Sequence, residues 1–372
     1  MKFTIERNVI LMAVQKTLGI VERKTTIPIL NNILIEALES SIRVVASDRE
    51  IGLQSSYPAD VEVKGSVTAP AKKLSEMIRE LSGETVAFDV TDNNWITVSS
   101  GTVVYRVPGL PASEFPDVKY DISDISTILP CDVLGRMIAQ TIFAVSSDDM
   151  RPVLNGVYVM SPVEGFIEMV ATDGHRLSLA KRSIAESAES FIEKGIIIPR
   201  KGLSELKKLV EDNIGNVTLS VSRGMLLAHR DAAVLGISLI DGEYPDYKKV
   251  IPVDKGIEIE LPRMMMLQAL RRMSVMSNER FSGVRIKLQE GKIILNSINP
   301  GVGEATDEIG IVYSGDVVEV GYNVRYLIDA IEGVDDERIS FEMRPGSGPG
   351  VVRSLGEDSY LCIIMPIKLR TE

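Results

Sequence analysis

The residues that first suggest chemistry are Ala171-Thr172-Asp173-Gly174-His175-Arg176-Leu177. A carboxylate two positions before an imidazole could orient a general base. No Gly-x-Ser-x-Gly elbow accompanies the pair, and no nucleophile, metal set or phosphate loop stands beside it. Asp173 and Gly174 read instead as a turn between two strands. Gly346-Ser347-Gly348-Pro349-Gly350 looks like a phosphate cradle, but no Lys-Ser/Thr follows it and Pro349 lacks an N–H. Strand-like residues on both sides, Ile339 to Met343 and Val351 to Leu355, make it a hairpin loop. Met264-Met265-Met266 offers an adaptable binding surface or, as methionines more often do, core packing.

Composition removes other chemistries. With two cysteines, Cys131 and Cys362, and two histidines, His175 and His229, the chain has no material for a disulfide framework, a cysteine zinc site or a His-rich metal site. Both cysteines read as inert buried thiols. Of 372 residues 45% are hydrophobic and 25% charged, which suits a folded chain of two to four domains. The 41 basic and 52 acidic residues leave a net charge of −11, so a nucleic-acid face requires basic residues segregated onto one surface. No apolar run reaches the roughly 18 residues of a membrane span. Glu6 and Arg7 interrupt the first apolar stretch, so a cytoplasmic protein is expected.

The elements that would carry these residues recur. Glu114-Phe115-Pro116-Asp117-Val118-Lys119 returns 129 positions later as Glu243-Tyr244-Pro245-Asp246-Tyr247-Lys248. Val67 to Leu81 returns at Ile196 to Val210, with Pro70 and Pro199 again 129 apart. A third copy runs from Val318 to Val334, with Asn323 in the proline position, and Ser47-Asp48 returns as Thr172-Asp173 at an offset of 125. A period this long indicates three tandem domains of one fold, not a solenoid. Their expected spans are 1–122, 128–252 and 256–372. In each, an apolar-periodic helix comes first: Ile10, Val14 and Leu18 in one, then Val133 to Ala144, then Met264 to Met276. Strands such as Asn155 to Met160 and Gly283 to Leu288 follow. A second helix then opens just after Pro70, Pro199 or Asn323. The fold class is α+β, with two helices per domain packed on one side of largely antiparallel sheet.

On the second helix of the first copy, Leu74, Met77, Ile78 and Leu81 form an apolar stripe, and Lys72 and Arg79 lie opposite it. Lys208 takes the same outward position in the second copy. Arg263, Arg271, Arg272 and Arg280 face a single acid, Glu279, in the stretch between them. An acidic chain thus places basic residues on the outer faces of its helices.

Three tandem domains, the ATDGHRL string and the C-terminal Met365-Pro366-Ile367-Lys368-Leu369 together closely resemble the bacterial DNA polymerase III beta subunits, the sliding clamps. The likeness extends from Phe3 to Leu369 and includes Ile27 to Asn32, Pro199-Arg200-Lys201-Gly202, Phe281 to Arg285 and Gly321-Tyr322-Asn323-Val324. It implies a head-to-tail homodimeric ring around duplex DNA, with helices lining the hole and sheets forming the wall. It implies no catalysis and no cofactor or metal. The partners it implies are double-stranded DNA bound without sequence preference, a second copy of the chain, the polymerase III alpha subunit, the clamp loader and repair proteins.

The resemblance also assigns residues. A hydrophobic pocket for partner peptides would comprise Leu154, Thr172, Gly174, His175, Arg176, Leu177, Pro245, Val250, Asn323, Tyr326, Ile363, Ile364, Met365, Pro366, Ile367 and Leu369. For DNA-facing cations the resemblance offers Lys24 and Arg151, with Arg200 and Lys201 in a family-like string, and the basic helix faces described above add Lys72, Arg79, Lys208, Arg271, Arg272 and Arg280. The dimer seam would bring Tyr105 and Val107 against Val275 and Met276 of a second copy. Pro152 and Val153 depart from the family pattern, which has paired tyrosines there. That departure and the net charge of −11 motivate an alternative, a peptide-binding scaffold that does not encircle DNA.

Overall fold

In a computed structural model, the chain is described except for residues 22–26, 119, 121–125, 162–164, 185–191, 193–194, 278–281, 347, 357–358 and 369–372. The first repeat runs β1 (Lys2–Glu6), α1 (Arg7–Thr17), β2 (Asn32–Ala37), β3 (Ser41–Ser47), β4 (Ile51–Pro58), β5 (Asp60–Val63), β6 (Gly65–Pro70), α2 (Ala71–Glu80), β7 (Thr85–Val90), β8 (Trp95–Ser100) and β9 (Val103–Pro108). The second runs β10 (Ser126–Pro130), α3 (Cys131–Thr141), β11 (Gly156–Met160), β12 (Phe166–Thr172), β13 (Arg176–Ser183), β14 (Ile196–Pro199), α4 (Arg200–Leu209), β15 (Asn216–Ser222), β16 (Met225–Arg230) and β17 (Ala233–Ser238). The third runs β18 (Ile257–Pro262), α5 (Arg263–Ser274), β19 (Gly283–Gln289), β20 (Lys292–Asn299), β21 (Gly303–Gly310), β22 (Val318–Asn323), α6 (Val324–Glu332), β23 (Arg338–Met343), β24 (Gly350–Arg353) and β25 (Ser359–Ile364).

This order exposes a shorter period inside the long one. Among the described residues each repeat is two copies of strand, helix, three strands, with β5 as the one addition. In all six half-repeats the strand runs directly into the helix. The junction residues are Glu6, Pro70, Pro130, Pro199, Pro262 and Asn323. Proline suits this place because its ring fixes φ near that of a helix and it has no N–H to leave unpaired. Pro70 and Pro262 both sit at φ −61°. Asn323 reaches φ −72° and caps instead, its Oδ1 accepting the Arg325 N–H at 3.0 Å. Pro130 and Pro262 were legible in the sequence, but their flanking residues differ too much from VTAP for the half-period to be seen.

The chain forms two compact units that do not follow the repeats: residues 1–132 with 201–239, and residues 133–200 with 240–372. The first holds a five-stranded sheet, β5-β1-β7-β8-β9, and an eight-stranded sheet, β10-β15-β16-β17-β4-β3-β2-β6. The second holds an eight-stranded sheet, β14-β11-β12-β13-β25-β24-β23-β18, and a four-stranded sheet, β21-β20-β19-β22. Every strand pair within them is antiparallel, as expected from the sequence. Each eight-stranded sheet is sewn from halves of consecutive repeats, by β4 pairing with β17 and by β13 pairing with β25. Alternation along the strands then sends one face to the helices.

The helix-side core follows the apolar stripes. Leu74, Met77, Ile78 and Leu81 are buried as the sequence indicates, with Ile10 and Val14 of α1 beside them in the same unit. In the other unit Leu267, Leu270, Leu327 and Ile331 pack with Val284, Tyr322 and Phe341. The methionine run needs correction. Only Met266 is buried, whereas Met264 and Met265 are half exposed, because three successive helical residues span 200° and cannot share one face. Cys131 and Cys362 are buried, and burial pushes the Cys362 thiol up to about 12. No helix among the described residues is long and apolar enough to cross a membrane.

Candidate functional site

The ATDGHRL string forms the β12–β13 hairpin, with Gly174 at φ +88°, a left-handed position that glycine adopts without strain. Asp173 is committed to this turn. Its Oδ1 accepts the N–H groups of His175 and Arg176 at 2.9 and 3.0 Å, and its Oδ2 takes the Arg176 Nε at 3.1 Å. Thr172 Oγ1 accepts the Gly174 N–H and donates to the Arg176 carbonyl. This spends the carboxylate on the backbone and on Arg176, not on the imidazole, and His175 stands exposed at the tip. Among the described residues no three His, Cys, Asp or Glu side chains converge to hold a metal.

Arg176 is the hub. Nearly buried, it pairs through Nη1 with Asp329 of α6 at 2.5 Å and donates to the Phe143 carbonyl. Its guanidinium lies 4.2 Å from the Tyr326 ring centroid and 5.1 Å from that of Phe143. These partners satisfy most of a charge that would otherwise be costly to bury. Around it lies a recess of about 400 Å³ lined by Arg151, Asp173, His175, Arg200 and Tyr326, among others.

Beside this polar recess is an apolar floor. Leu177 pairs with Ile363 across β13 and β25, and both pack with Leu154, Val170, Tyr244, Tyr247, Val351 and Leu361. Tyr244 stacks on Tyr158 with centroids 5.0 Å apart. Tyr247 donates to the buried Glu168 Oε2 at 2.8 Å, and burial pushes its phenol well above the usual range. At the rim are exposed Pro245, Val250, Met365 and Ile367 and half-buried Pro366. The C-terminal segment is held by backbone, with Met365 N–H on the His175 carbonyl and Ile367 N–H on that of Gly321. A buried apolar cluster, exposed apolar residues beside it and one oriented cation are the chemistry that a notch for an extended peptide with apolar anchors would need.

The sequence-derived residues do not all meet here. Ile364 faces the opposite side of the sheet and belongs to the core with Leu327 and Tyr322. One step along a strand reverses the face, so Ile363 and Ile364 could not both line the notch. Asn323 serves as the cap of α6. Leu369 lies outside the described residues. Sequence reasoning missed Tyr244, Val351 and Leu361; Tyr244 was within reach, since it lies in the repeated Glu-Tyr-Pro-Asp string that supplied Pro245.

The cations assigned to DNA divide. Lys72 and Arg79 are exposed on α2, opposite the stripe. Lys208 pairs with buried Glu205 at 2.8 Å, Arg271 with Glu332 at 2.6 Å and Arg272 with Asp307 at 2.8 Å. Lys201 pairs with buried Asp48. Arg151 pairs with Asp148 at 3.0 Å and, with Arg200, lines the recess around Arg176. Lys24 and Arg280 lie outside the described residues. Of the seam residues, Val275 is exposed, Tyr105 and Met276 are half-buried, and Val107 is already buried within its own chain. Val107 points to the sheet interior because it alternates with Val104, which is exposed.

Three family models match in tandem: the DNA polymerase III beta subunit N-terminal domain over residues 1–119, the central domain over 128–246 and the C-terminal domain over 248–368. The chain is 33% identical to the beta sliding clamp of Caulobacter vibrioides over 374 residues, covering 99% of this chain and all of the relative. It is 31% identical to that of Vibrio cholerae over 371 residues, with the same coverage. Among solved structures it is similar to the DNA polymerase sliding clamp of Bacillus subtilis, with a TM-score of 0.93 and 28% identity over the full length of both. It is also similar to a sliding clamp of Bartonella birtlesii bound to griselimycin, with a TM-score of 0.92 and 28% identity over 99% of this chain and 100% of that one. The repeat, the hairpin at Asp173 and the sewn sheets therefore have one explanation: the chain belongs to the bacterial DNA polymerase III beta subunit family, the sliding clamps.

Proposed function

We propose that two copies of this chain close head to tail around duplex DNA and present the notch at Leu177, Arg176 and Met365 to short apolar-anchored segments of the replicative polymerase, the clamp loader and repair proteins. As a sliding clamp the chain is a non-catalytic processivity factor. The observation that carries the closure is the pattern of sheet seams. The last strand of a repeat joins the fourth strand of the preceding one, counting the added β5 aside: β17 on β4, β25 on β13. The same rule applied to the remaining pair names β9 and β21, each of which ends its sheet. Unpaired edges invite a strand from another chain, and an interface between unlike surfaces gives a ring when the rotation closes. Six domains at about 60° each would close it. The proposed domain limits are 1–122, 128–252 and 256–372.

Exposed Lys72 and Arg79 would face phosphates, whose attraction is independent of sequence. Ion pairing at Lys201, Lys208, Arg271 and Arg272 tempers that attraction. Enclosure makes strong local contacts unnecessary for retention. The test is loading onto nicked circular DNA followed by gel filtration. The protein should stay with the circle and leave once the DNA is cut to a linear form. Equal retention on linear DNA, or a monomer at micromolar concentration with peptide binding intact, would favour the scaffold alternative.

A further inference from the structure

The two seams inside the chain are built alike but finished differently. At the second, Leu177 pairs with Ile363 and forms the floor of the notch. At the first, the residue 125 positions before Leu177 is Gly52, and it pairs with Gly236 of β17 as Leu177 pairs with Ile363 of β25. The hairpin beside each is turned by the same backbone bonds. Asp48 Oδ1 accepts the N–H groups of Glu50 and Ile51, and Ser47 Oγ accepts that of Arg49, matching the three backbone N–H bonds to Asp173 and Thr172. Where the second seam carries two large apolar side chains, the first carries two glycines.

The space above the glycines is filled by Tyr120. A Cβ on Gly236 would fall 2.6 Å from the Tyr120 Cζ, and one on Gly52 would collide with its Oη and come within 3.2 Å of Val118 Cγ1. The hydroxyl is buried, and burial pushes the phenol well above its usual range. The counterpart of Tyr120, 129 positions on, is Lys249. Lys249 is exposed and pairs with Asp246 at 3.2 Å, so this position lays no ring on the second seam, where Leu177 and Ile363 are buried among Leu154, Tyr244 and Tyr247 instead. One connecting segment lays a ring into its seam; the other turns a lysine to solvent.

We infer that Tyr120 is a built-in ligand: it occupies a second, cryptic docking slot at the Gly52–Gly236 seam, shaped for an aromatic anchor, and so limits each chain to one peptide. The inference rests on the peptide-notch reading of the second seam for its function, but the slot itself does not depend on that reading. A ring seated over paired glycines also shields their backbone, as cross-strand aromatic packing does. That structural role alone predicts no change in binding number.

The experiment is calorimetric titration of the full chain with an acetylated, amidated pentapeptide bearing two leucines and one phenylalanine. The parent should bind one peptide per chain and Y120A two. M365E, which puts a charge on the rim of the second seam, should bind none, and Y120A with M365E one. Y120F keeps the ring and should stay at one. A folded Y120A that still binds one peptide overturns the inference. Should the parent bind none, the notch reading fails, and the slot is then read with 4-methylphenol, the side-chain analogue of tyrosine. At millimolar concentration it should raise the melting temperature of Y120A, or of the milder Y120V if Y120A does not fold, and leave the parent unmoved. No difference between variant and parent overturns the slot.

Discussion

Arg176 and Asp329 form an ion pair of 2.5 Å that ties strand β13 to helix α6 at the edge of the notch. Burial works to raise the Asp329 pKa and the Arg176 charge opposes it, so the carboxyl sits above its usual range. The pair survives because Arg176 has further partners in Asp173, the Phe143 carbonyl and the Tyr326 ring. Removing one side of such a pair strands the other. R176A should therefore destabilise the protein by about 3 kcal/mol and weaken pentapeptide binding about tenfold or more, since Tyr326 and the His175 hairpin lose their support. R176K should recover less than half of this, because an ammonium cannot reproduce the planar fork. Urea denaturation and the peptide titration read the two effects; peptide affinity unchanged in R176A would remove Arg176 from the site.

Gly52 and Tyr120 should be energetically coupled. G52L forces a branched side chain into the ring of Tyr120, and overpacking of this kind costs about 1–3 kcal/mol. In a Y120A background the same leucine enters a vacated space and resembles Leu177 at the other seam. The double-mutant cycle should show a coupling of about 1 kcal/mol or more in favour of the pair. Strict additivity would mean the two residues do not share that space.

The acid limb of stability should carry the mark of Asp336. Burial acts against its carboxylate, but Oδ2 accepts the Ser354 hydroxyl and the Leu355 and Gly356 N–H groups at 2.8 to 3.0 Å, and these bonds hold its pKa below the usual value. A carboxyl depressed on folding stabilises the protein above its unfolded pKa, near 4, and that contribution is lost as pH falls through the folded pKa. D336N should be less stable than the parent by about 1 kcal/mol at pH 7. The gap should narrow steadily below about pH 4. Thermal melts at pH 7, 4 and 2.5 check the sign; a gap that widens in acid would refute it.

Charge reversal on α2 should separate the two functions. K72E with R79E should lower the slope of log affinity for duplex DNA against log salt by about 1 for each phosphate that is no longer neutralised. Pentapeptide affinity should not move, because neither residue borders the notch. An unchanged salt slope would place α2 away from the duplex.

Much of the architecture was readable from the order of residues. The offsets of 129 and 125 established the tandem repeat, Pro70, Pro199 and Asn323 marked helix starts, and Asp173-Gly174 marked a hairpin. These are local signals: a proline φ, a left-handed glycine and a 3.6-residue apolar stripe act within one turn of their own position. Tertiary structure alone decided that Ile363 faces the notch while Ile364 faces the core, and that Lys201 is held by Asp48. It alone laid Tyr120 across Gly52 and Gly236. Each of those outcomes depends on which strands meet, and in what register, between residues far apart in the chain. Register sets the face of every side chain at once, and no local spacing encodes it.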